Sequence, residues 1–281
     1  MRLTDFTMFV EGLDHPECVS WGPDGFLYAG GEAGQIYRLT ADGDDLTEVG
    51  STNGFVLGIC LDADANVYAC DPRNGAVMRM SPAGEVSTYS RGTSDRPFIN
   101  PNYPVFDRAG NLYVADSGGW HEDNGGIFVV RRDGATRLID DTMAQFPNGL
   151  ALNAAEDYLY VALSTLPGVA RLPIRGGEVT GKGETVVELP RSVPDGLAFD
   201  VEGNLYVSCY SPDVIYRLDP AGNLETLAED WERTTLGSPT NMTFGGPDRT
   251  TLFVANLGRW HLSKAEMQVA GQPYNYPTFG A

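Results

Sequence analysis

A polar turn followed by an aromatic-apolar run recurs six times along this chain. The aromatic stands at Tyr28, Tyr68, Tyr113, Tyr160, Tyr206 and Phe253, at steps of 40, 45, 47, 46 and 47 residues. A second run follows about ten residues later in each of the first five copies: Gln35–Leu39, Ala76–Met80, Gly126–Val130, Gly168–Leu172 and Val214–Leu218. These runs are β-branched and aromatic with turn residues on both sides, the mark of strands. Further turns such as Ala41-Asp42-Gly43 and Pro220-Ala221-Gly222 lead to a fourth strand. Four strands in about 45 residues is the period of a propeller blade. The expected fold is all-β: a six-bladed β-propeller with four antiparallel strands per blade. Phe6–Val10 precedes the first inner strand and is placed to supply the outermost strand of the last blade, which would close the ring and remove a free edge. No linker or break in composition divides the chain, so residues 1–281 read as a single propeller domain.

The repeat permits a comparison that single motifs do not. Five residues ahead of each aligned turn stand Glu17, Leu57, Asn102, Asn148, Asp195 and Asn241. Four of these directly follow a proline: Pro16, Pro101, Pro147 and Pro194. The position opens the innermost strand, and inner strands of a propeller line its central channel, so one residue per blade converges on the pseudosymmetry axis. Pro-Asn-Gly and Pro-Asp-Gly also serve as ordinary turns. Glu17 does not fit that explanation, because glutamate is a poor turn residue and an apolar strand follows it. Two carboxylates gathered near an axis repel each other and are partly desolvated. A divalent cation relieves both costs. All-oxygen donors favour a hard ion, so Ca²⁺ is the first expectation, with Mg²⁺, Mn²⁺ and Zn²⁺ as alternatives. Glu17, Asn102, Asn148 and Asp195 are the expected metal ligands. Asn241 is a weaker member, because its proline lies one residue further back, at Pro239.

Composition narrows the classes of function. Nineteen Lys and Arg against 38 Asp and Glu leave a net charge of −19. Such a surface repels phosphate backbones and anionic lipid, so neither nucleic acid nor membrane is an expected partner. No apolar run approaches the ~18 residues of a membrane helix, and Met1–Phe6 shows no signal-peptide core. The expected setting is cytoplasmic, and the expected state a monomer. Cys18, Cys60, Cys70 and Cys209 have no CxxC spacing and read as buried free thiols. No GxSxG elbow is present, so a serine triad has no support.

The third repeat carries extra residues between its second and third strands, Asp116–Gly125. In an up-and-down blade this connection lies on the face where the inner strand begins, so the insertion should overhang the site. Trp120 and His121 are the expected substrate-contacting residues there, with Asn102 beside them; His121 or Glu122 could serve as acid or base. Asp71 and Asp116 end second strands on that face and read as turn residues. His15 reads as a neighbour of the site, and His261 as structural.

The ordered set Glu17, Asn102, Asn148, Asp195 resembles the senescence-marker-protein (regucalcin)/gluconolactonase family. The resemblance is carried by His15–Trp21, Pro147–Ala151, Pro194–Asp200 and Phe244–Asp248, and runs from about residue 10 to 260. It implies a catalytic divalent cation held by Glu17, Asn148 and Asp195. Asn102 matches a position that ligates the metal in some members and meets substrate in others. The implied activity is hydrolysis of a lactone, often a sugar lactone, with Asp195 the first choice for the base that takes a proton from water. Asn100 stands where related sugar lactonases carry an arginine, which places gluconolactone itself in question. Two alternatives accompany this reading: a phosphotriesterase or arylesterase on the same calcium site, and a non-enzymatic calcium- or ligand-binding propeller.

Overall fold

The computed structural model describes residues 1–279. Among them 25 strands form six sheets arranged as blades. After β1 (Phe6–Glu11), blade 1 is built from β2 (Cys18–Trp21), β3 (Leu27–Gly30), β4 (Gln35–Leu39) and β5 (Leu46–Ser51). Blade 2 is β6 (Ile59–Leu61), β7 (Val67–Asp71), β8 (Ala76–Met80) and β9 (Val86–Ser90). Blade 3 is β10 (Pro101–Phe106), β11 (Leu112–Asp116), β12 (Gly126–Val130) and β13 (Thr136–Asp140). Blade 4 contains β14 (Pro147–Leu152), β15 (Tyr158–Leu163) and β16 (Gly168–Arg175). The two-residue β17 (Glu178–Val179) pairs with the end of β16, and β18 (Glu184–Glu188) with its start. Blade 5 is β19 (Val193–Phe199), β20 (Leu205–Ser211), β21 (Val214–Leu218) and β22 (Leu224–Glu229). Blade 6 is β23 (Pro239–Gly245), β24 (Thr251–Asn256) and β25 (His261–Glu266), completed by β1. β1 runs antiparallel to β25, with Phe6 opposite Ala265 and Glu11 opposite His261. The ring thus closes with the first strand of the chain in the last blade, as the sequence predicts.

The repeated aromatic is the wedge between blades. Six clusters of buried residues fill the six interfaces, and Tyr28, Tyr68, Tyr113, Tyr160, Tyr206 and Phe253 each pack into a different one. Edge-on ring pairs recur there, with centroids 4.9 Å apart for Tyr68–Phe106 and Tyr160–Phe199, a favoured aromatic geometry. The preceding turn is tied to the same residue. Asp62 accepts from the Asn66 side chain and from the Tyr68 hydroxyl at 3.0 Å. Asp200 repeats the arrangement with Asn204 and Tyr206. The Asp-x-x-x-Asn-x-Tyr pattern is therefore a turn clamp that also seats the wedge.

The segment after β25 crosses the axis at the end of the channel remote from Glu17 and touches all six blades. The Gln272 amide donates to Phe199 O at 2.9 Å and its side chain to Leu152 O at 3.0 Å. The Tyr274 hydroxyl accepts from Phe244 N and Thr243 Oγ1, both at 2.7 Å. Asn275 donates to Phe106 O at 2.9 Å, Tyr276 to Trp21 O at 2.6 Å, and Ala63 N donates to Pro277 O at 3.1 Å. These partners lie at or just beyond the ends of the inner strands. A cavity of about 90 Å³ remains between this strap and the inner strands.

Candidate metal centre

The inner strands bring five of the six register positions together as oxygen donors. Glu17, Asn102, Asn148, Asp195 and Asn241 are all at most 4% exposed. Among the described residues, nine buried side-chain nitrogen and oxygen atoms have no hydrogen-bond partner. Five of these belong to the register: Glu17 Oε2, Asn102 Oδ1, Asn148 Oδ1, Asp195 Oδ1 and Asn241 Oδ1. A buried oxygen without a donor costs on the order of 1–3 kcal/mol. Five gathered at one axis therefore call for a positive occupant. Leu57, the sixth member, is buried and apolar, and leaves the blade 2 side without a donor.

Glycine makes the convergence sterically feasible. A Cβ on Gly149, next to Asn148, would fall inside the contact distance of the Asp195 carbonyl oxygen, and one on Gly196 would collide with the Thr240 carbonyl oxygen. Gly58 meets the Asn102 carbonyl oxygen in the same way. At these three positions, each one residue beyond a register residue, neighbouring inner strands approach too closely for any side chain.

Hydroxyls of one blade hold the entry to the next. Ser117 Oγ donates to Pro147 O at 2.8 Å, Ser164 Oγ to Pro194 O at 2.7 Å, and Ser208 Oγ to Thr240 O. Each acceptor is the carbonyl just ahead of Asn148, Asp195 or Asn241. Thr240 Oγ1 and Asn241 Nδ2 both donate to Glu17 O, at 2.6 and 3.1 Å. The amide nitrogens are used this way too: Asn148 Nδ2 reaches Ser164 Oγ at 3.4 Å, leaving its oxygen for the channel. Supporting hydrogen bonds of this kind orient donor atoms before an ion arrives.

The electrostatics agree. Burial pushes the Glu17 carboxyl well above the usual carboxylate range, and the Asp195 charge raises it further. Burial raises Asp195 to about 7, opposed by a hydrogen bond from the Asn148 side chain. Two carboxylates that resist ionisation together are what a divalent cation would neutralise. The donor set is all oxygen, which fits a hard ion.

The other expected residues fall as follows. Trp120 is 51% exposed, and its ring meets His121 and Phe146 at centroid distances of 5.0 and 4.8 Å. His121 is exposed, with a left-handed φ of 61°. Asp116 accepts the amides of Ile99 and Asn100, and Asp71 that of Phe55, so both tie down loops ahead of inner strands, and Asp71 also accepts from Asn74 in the turn that follows it. His15 contacts Asp14 and Glu32 at 3.2 and 3.3 Å, an outward-facing group beside the mouth. His261 is buried against Thr235 O at 3.1 Å. Cys18 turns away from the channel into the interface of blades 1 and 2, and all four cysteines are free. Asn241, ranked low from its displaced proline, stands in the ring with the rest. The serine hydroxyls escaped sequence reading, although Ser117 and Ser164 both lie four residues beyond the repeated tyrosine.

Comparison with known proteins places the chain. The chain is 25% identical to diisopropyl-fluorophosphatase of Loligo vulgaris over 266 residues, covering 86% of this chain and 83% of the relative. It is 26% identical to gluconolactonase of Zymomonas mobilis over 260 residues, covering 84% and 68%. Its fold matches the crystal structure of a calcium-binding protein, regucalcin, from Agrobacterium tumefaciens, with a TM-score of 0.79 at 18% identity over 98% and 99% of the two chains. The family model described as SMP-30/gluconolactonase/LRE-like region matches residues 15–257, from just ahead of the first inner strand to beyond β24. The chain belongs to the SMP-30/gluconolactonase/LRE-like family.

Proposed function

We propose that this protein is a divalent-cation-dependent hydrolase that opens a lactone, with Glu17, Asn148, Asp195 and Asn102 holding the cation and Asn241 completing the ring. The observation that carries this reading is the group of five buried, donorless oxygens, two of them on carboxyl groups that resist ionisation together. Ca²⁺ fits an all-oxygen set of this size, and Mg²⁺ and Mn²⁺ are its closest competitors. When bound, such a cation supplies Lewis acidity toward a carbonyl oxygen and stabilises negative charge developing there.

The remaining work falls to the chain. Asp195, a carboxylate of the ring, is the first choice for the general base, acting as ligand and base together. It takes a proton as water attacks the lactone carbonyl carbon. The ring C–O bond then breaks, the proton held on Asp195 passes to the leaving alkoxide, and a hydroxy acid results with Asp195 regenerated. Asn102 faces the same space and is placed to orient the substrate. The serine–carbonyl contacts keep these donors fixed through the cycle.

A second reading keeps the site and changes the substrate to a phosphotriester or aryl ester. It is favoured by the alignment with diisopropyl-fluorophosphatase, which extends over 86% of the chain. One experiment separates the two. Chelator-stripped protein receives Ca²⁺, Mg²⁺, Mn²⁺ or Zn²⁺ singly, and acid release from lactones, aryl esters and a phosphotriester is followed by pH-stat. Cation-restored lactone turnover that disappears in Glu17→Ala and Asp195→Ala supports the first reading. Turnover confined to the phosphotriester or aryl ester supports the second. Tight cation binding with no turnover of any substrate would overturn both.

A further inference from the structure

One member of the register departs from the other five. Leu57 opens blade 2 at the position held elsewhere by Glu17, Asn102, Asn148, Asp195 and Asn241. Its backbone keeps the common arrangement. Leu57 N donates to Cys70 O at 3.0 Å on the second strand of the blade, and Cys70 N donates to Gly58 O at 2.9 Å. Gly58 N donates across the blade boundary to Asn102 O at 2.7 Å. Gly58 is pressed against that carbonyl as Gly149 is against that of Asp195, and Gly196 against that of Thr240. Blade 2 therefore enters the ring at the same height as its neighbours.

The side chain has no place between the blades. Val56 and Ile59, on either side, pack into the interface of blades 1 and 2. Leu57 is only 7% exposed, yet it belongs to none of the six clusters that fill the blade interfaces. Burial outside every interface leaves the channel, where Glu17 and Asn102 are its neighbours in the ring. Leucine, asparagine and aspartate branch at the same carbon. Leu57 thus sets two methyl groups where blades 3, 4, 5 and 6 present amide or carboxyl oxygens. The donors run unbroken from blade 3 through blade 6 to blade 1 and stop at blade 2. Ca²⁺ takes about six to eight oxygen ligands, and five buried ring oxygens lack a partner here. The remaining places fall to water and substrate. Methyl groups beside such a water give it little to bind, and a loosely held water is displaced at small cost.

We propose that Leu57 is a specificity-determining residue of the centre: shaped like a sixth ligand but without an oxygen, it keeps the blade 2 side of the cation open for a substrate oxygen. An open position is what separates a catalytic metal site from a purely structural one. The use made of that side rests on the hydrolase reading given above; the effect on the cation does not. A leucine that only fills space would weaken cation binding when exchanged for a polar residue. A leucine that withholds a ligand would strengthen it.

The test replaces Leu57 in the full chain by asparagine, which has nearly the same shape, and by methionine, which fills the space without an oxygen. Leu57→Asn should bind Ca²⁺ about 10-fold more tightly by isothermal titration, since affinity at oxygen sites follows the ligand set. With Tb³⁺ in place of Ca²⁺, luminescence lifetimes in H₂O and D₂O should show about one bound water fewer than in the wild type. Leu57→Met should follow the wild type in both. Turnover by Leu57→Asn should fall by about 10-fold or more, because the added amide takes the side a substrate oxygen needs. The substrate is the one hydrolysed fastest by the wild type among lactones, aryl esters and a phosphotriester. Circular dichroism checks folding, and Leu57→Gln replaces Leu57→Asn if the latter unfolds. In the folded amide variant, unchanged or weaker Ca²⁺ affinity overturns the proposal, as does an unchanged water count. A Leu57→Met that shifts as far as the amide variant also overturns it. If the wild type binds Ca²⁺ but hydrolyses none of the substrates, the hydrolase reading falls by itself, and affinity and water count alone decide whether Leu57 withholds a ligand. A wild type that binds neither ion overturns both.

Discussion

The Ser164 hydroxyl donates to the carbonyl oxygen of Pro194 at 2.7 Å, across the boundary between blades 4 and 5, and so fixes the peptide that carries Asp195. The same hydroxyl lies 3.4 Å from Asn148 Nδ2. One small side chain thus positions two donors of the ring from different blades. Ser164→Ala should lower Ca²⁺ affinity by about 10-fold or more while the protein stays folded, the usual effect of losing an orienting partner. Isothermal titration paired with circular dichroism reads both quantities, and unchanged affinity would count against the positioning role.

The metal-free protein should be least stable at alkaline pH. Glu17 is held above the usual carboxylate range by burial and by the Asp195 charge, and Asp195 is raised to about 7 by burial. A carboxyl group with a raised folded-state value favours the protonated fold. Its cost is absent below the unfolded value of about 4 and complete above the folded value. The Tm of chelated protein should therefore fall as pH rises from about 4 to about 7, with Ca²⁺ restoring it most at the upper end. A metal-free Tm independent of pH in that window would contradict the pairing of these two groups.

Removing one of the two charges should separate stability from function. Glu17→Gln in chelated protein at pH 8 should raise stability by on the order of 1–3 kcal/mol, because a buried like-charge pair is relieved. The same variant should bind Ca²⁺ far more weakly and lose turnover. Denaturant melts with and without Ca²⁺ give both numbers. A variant less stable than wild type without cation would contradict the like-charge repulsion between Glu17 and Asp195.

Gly149 has no room for a methyl group. Gly149→Ala drives a Cβ into the Asp195 carbonyl oxygen and should cost about 1–3 kcal/mol or more as the strands part. Gly134→Ala makes an instructive comparison, since its Cβ meets nothing within 4 Å and only its left-handed φ of 84° is strained. Thermal melts of the two variants should show Gly149→Ala as the more damaging, with a weaker response to Ca²⁺.

Tyr276 ties the strap to blade 1 through Trp21 O at 2.6 Å. Tyr276→Phe should cost about 1 kcal/mol, the worth of one such hydrogen bond. Deleting residues 272–281 should cost several times as much, because contacts to every blade are lost together. Equal melting temperatures for the deletion and the full chain would show that the ring closes without the strap.

The blades were legible because each repeats one local code. Asp62-x-x-x-Asn66-x-Tyr68 and its counterpart from Asp200 state the turn, the clamp and the wedge within seven residues. The candidate site was legible because the repeat converts sequence spacing into a common height on the axis, which picked out Glu17, Asn102, Asn148 and Asp195. Asn241 ranked lower because its proline is displaced by one residue, although its burial and its donorless oxygen match the others. Trp260 sits in a loop outside the repeat, and its partner His15 is 245 positions away, so their contact has no local signature. The strap was invisible for the same reason. Gln272, Tyr274, Asn275 and Tyr276 bind main-chain atoms, which have no residue identity to read.

That strap also sets the traffic of the molecule. With one end of the channel crossed by residues 272–277, the chamber that holds the ring of donors is a cul-de-sac. Under the proposed hydrolysis, every product would have to back out through the doorway that the next substrate enters. Arrival and departure are then mutually exclusive events, and an accumulating product becomes a competitor for the same threshold.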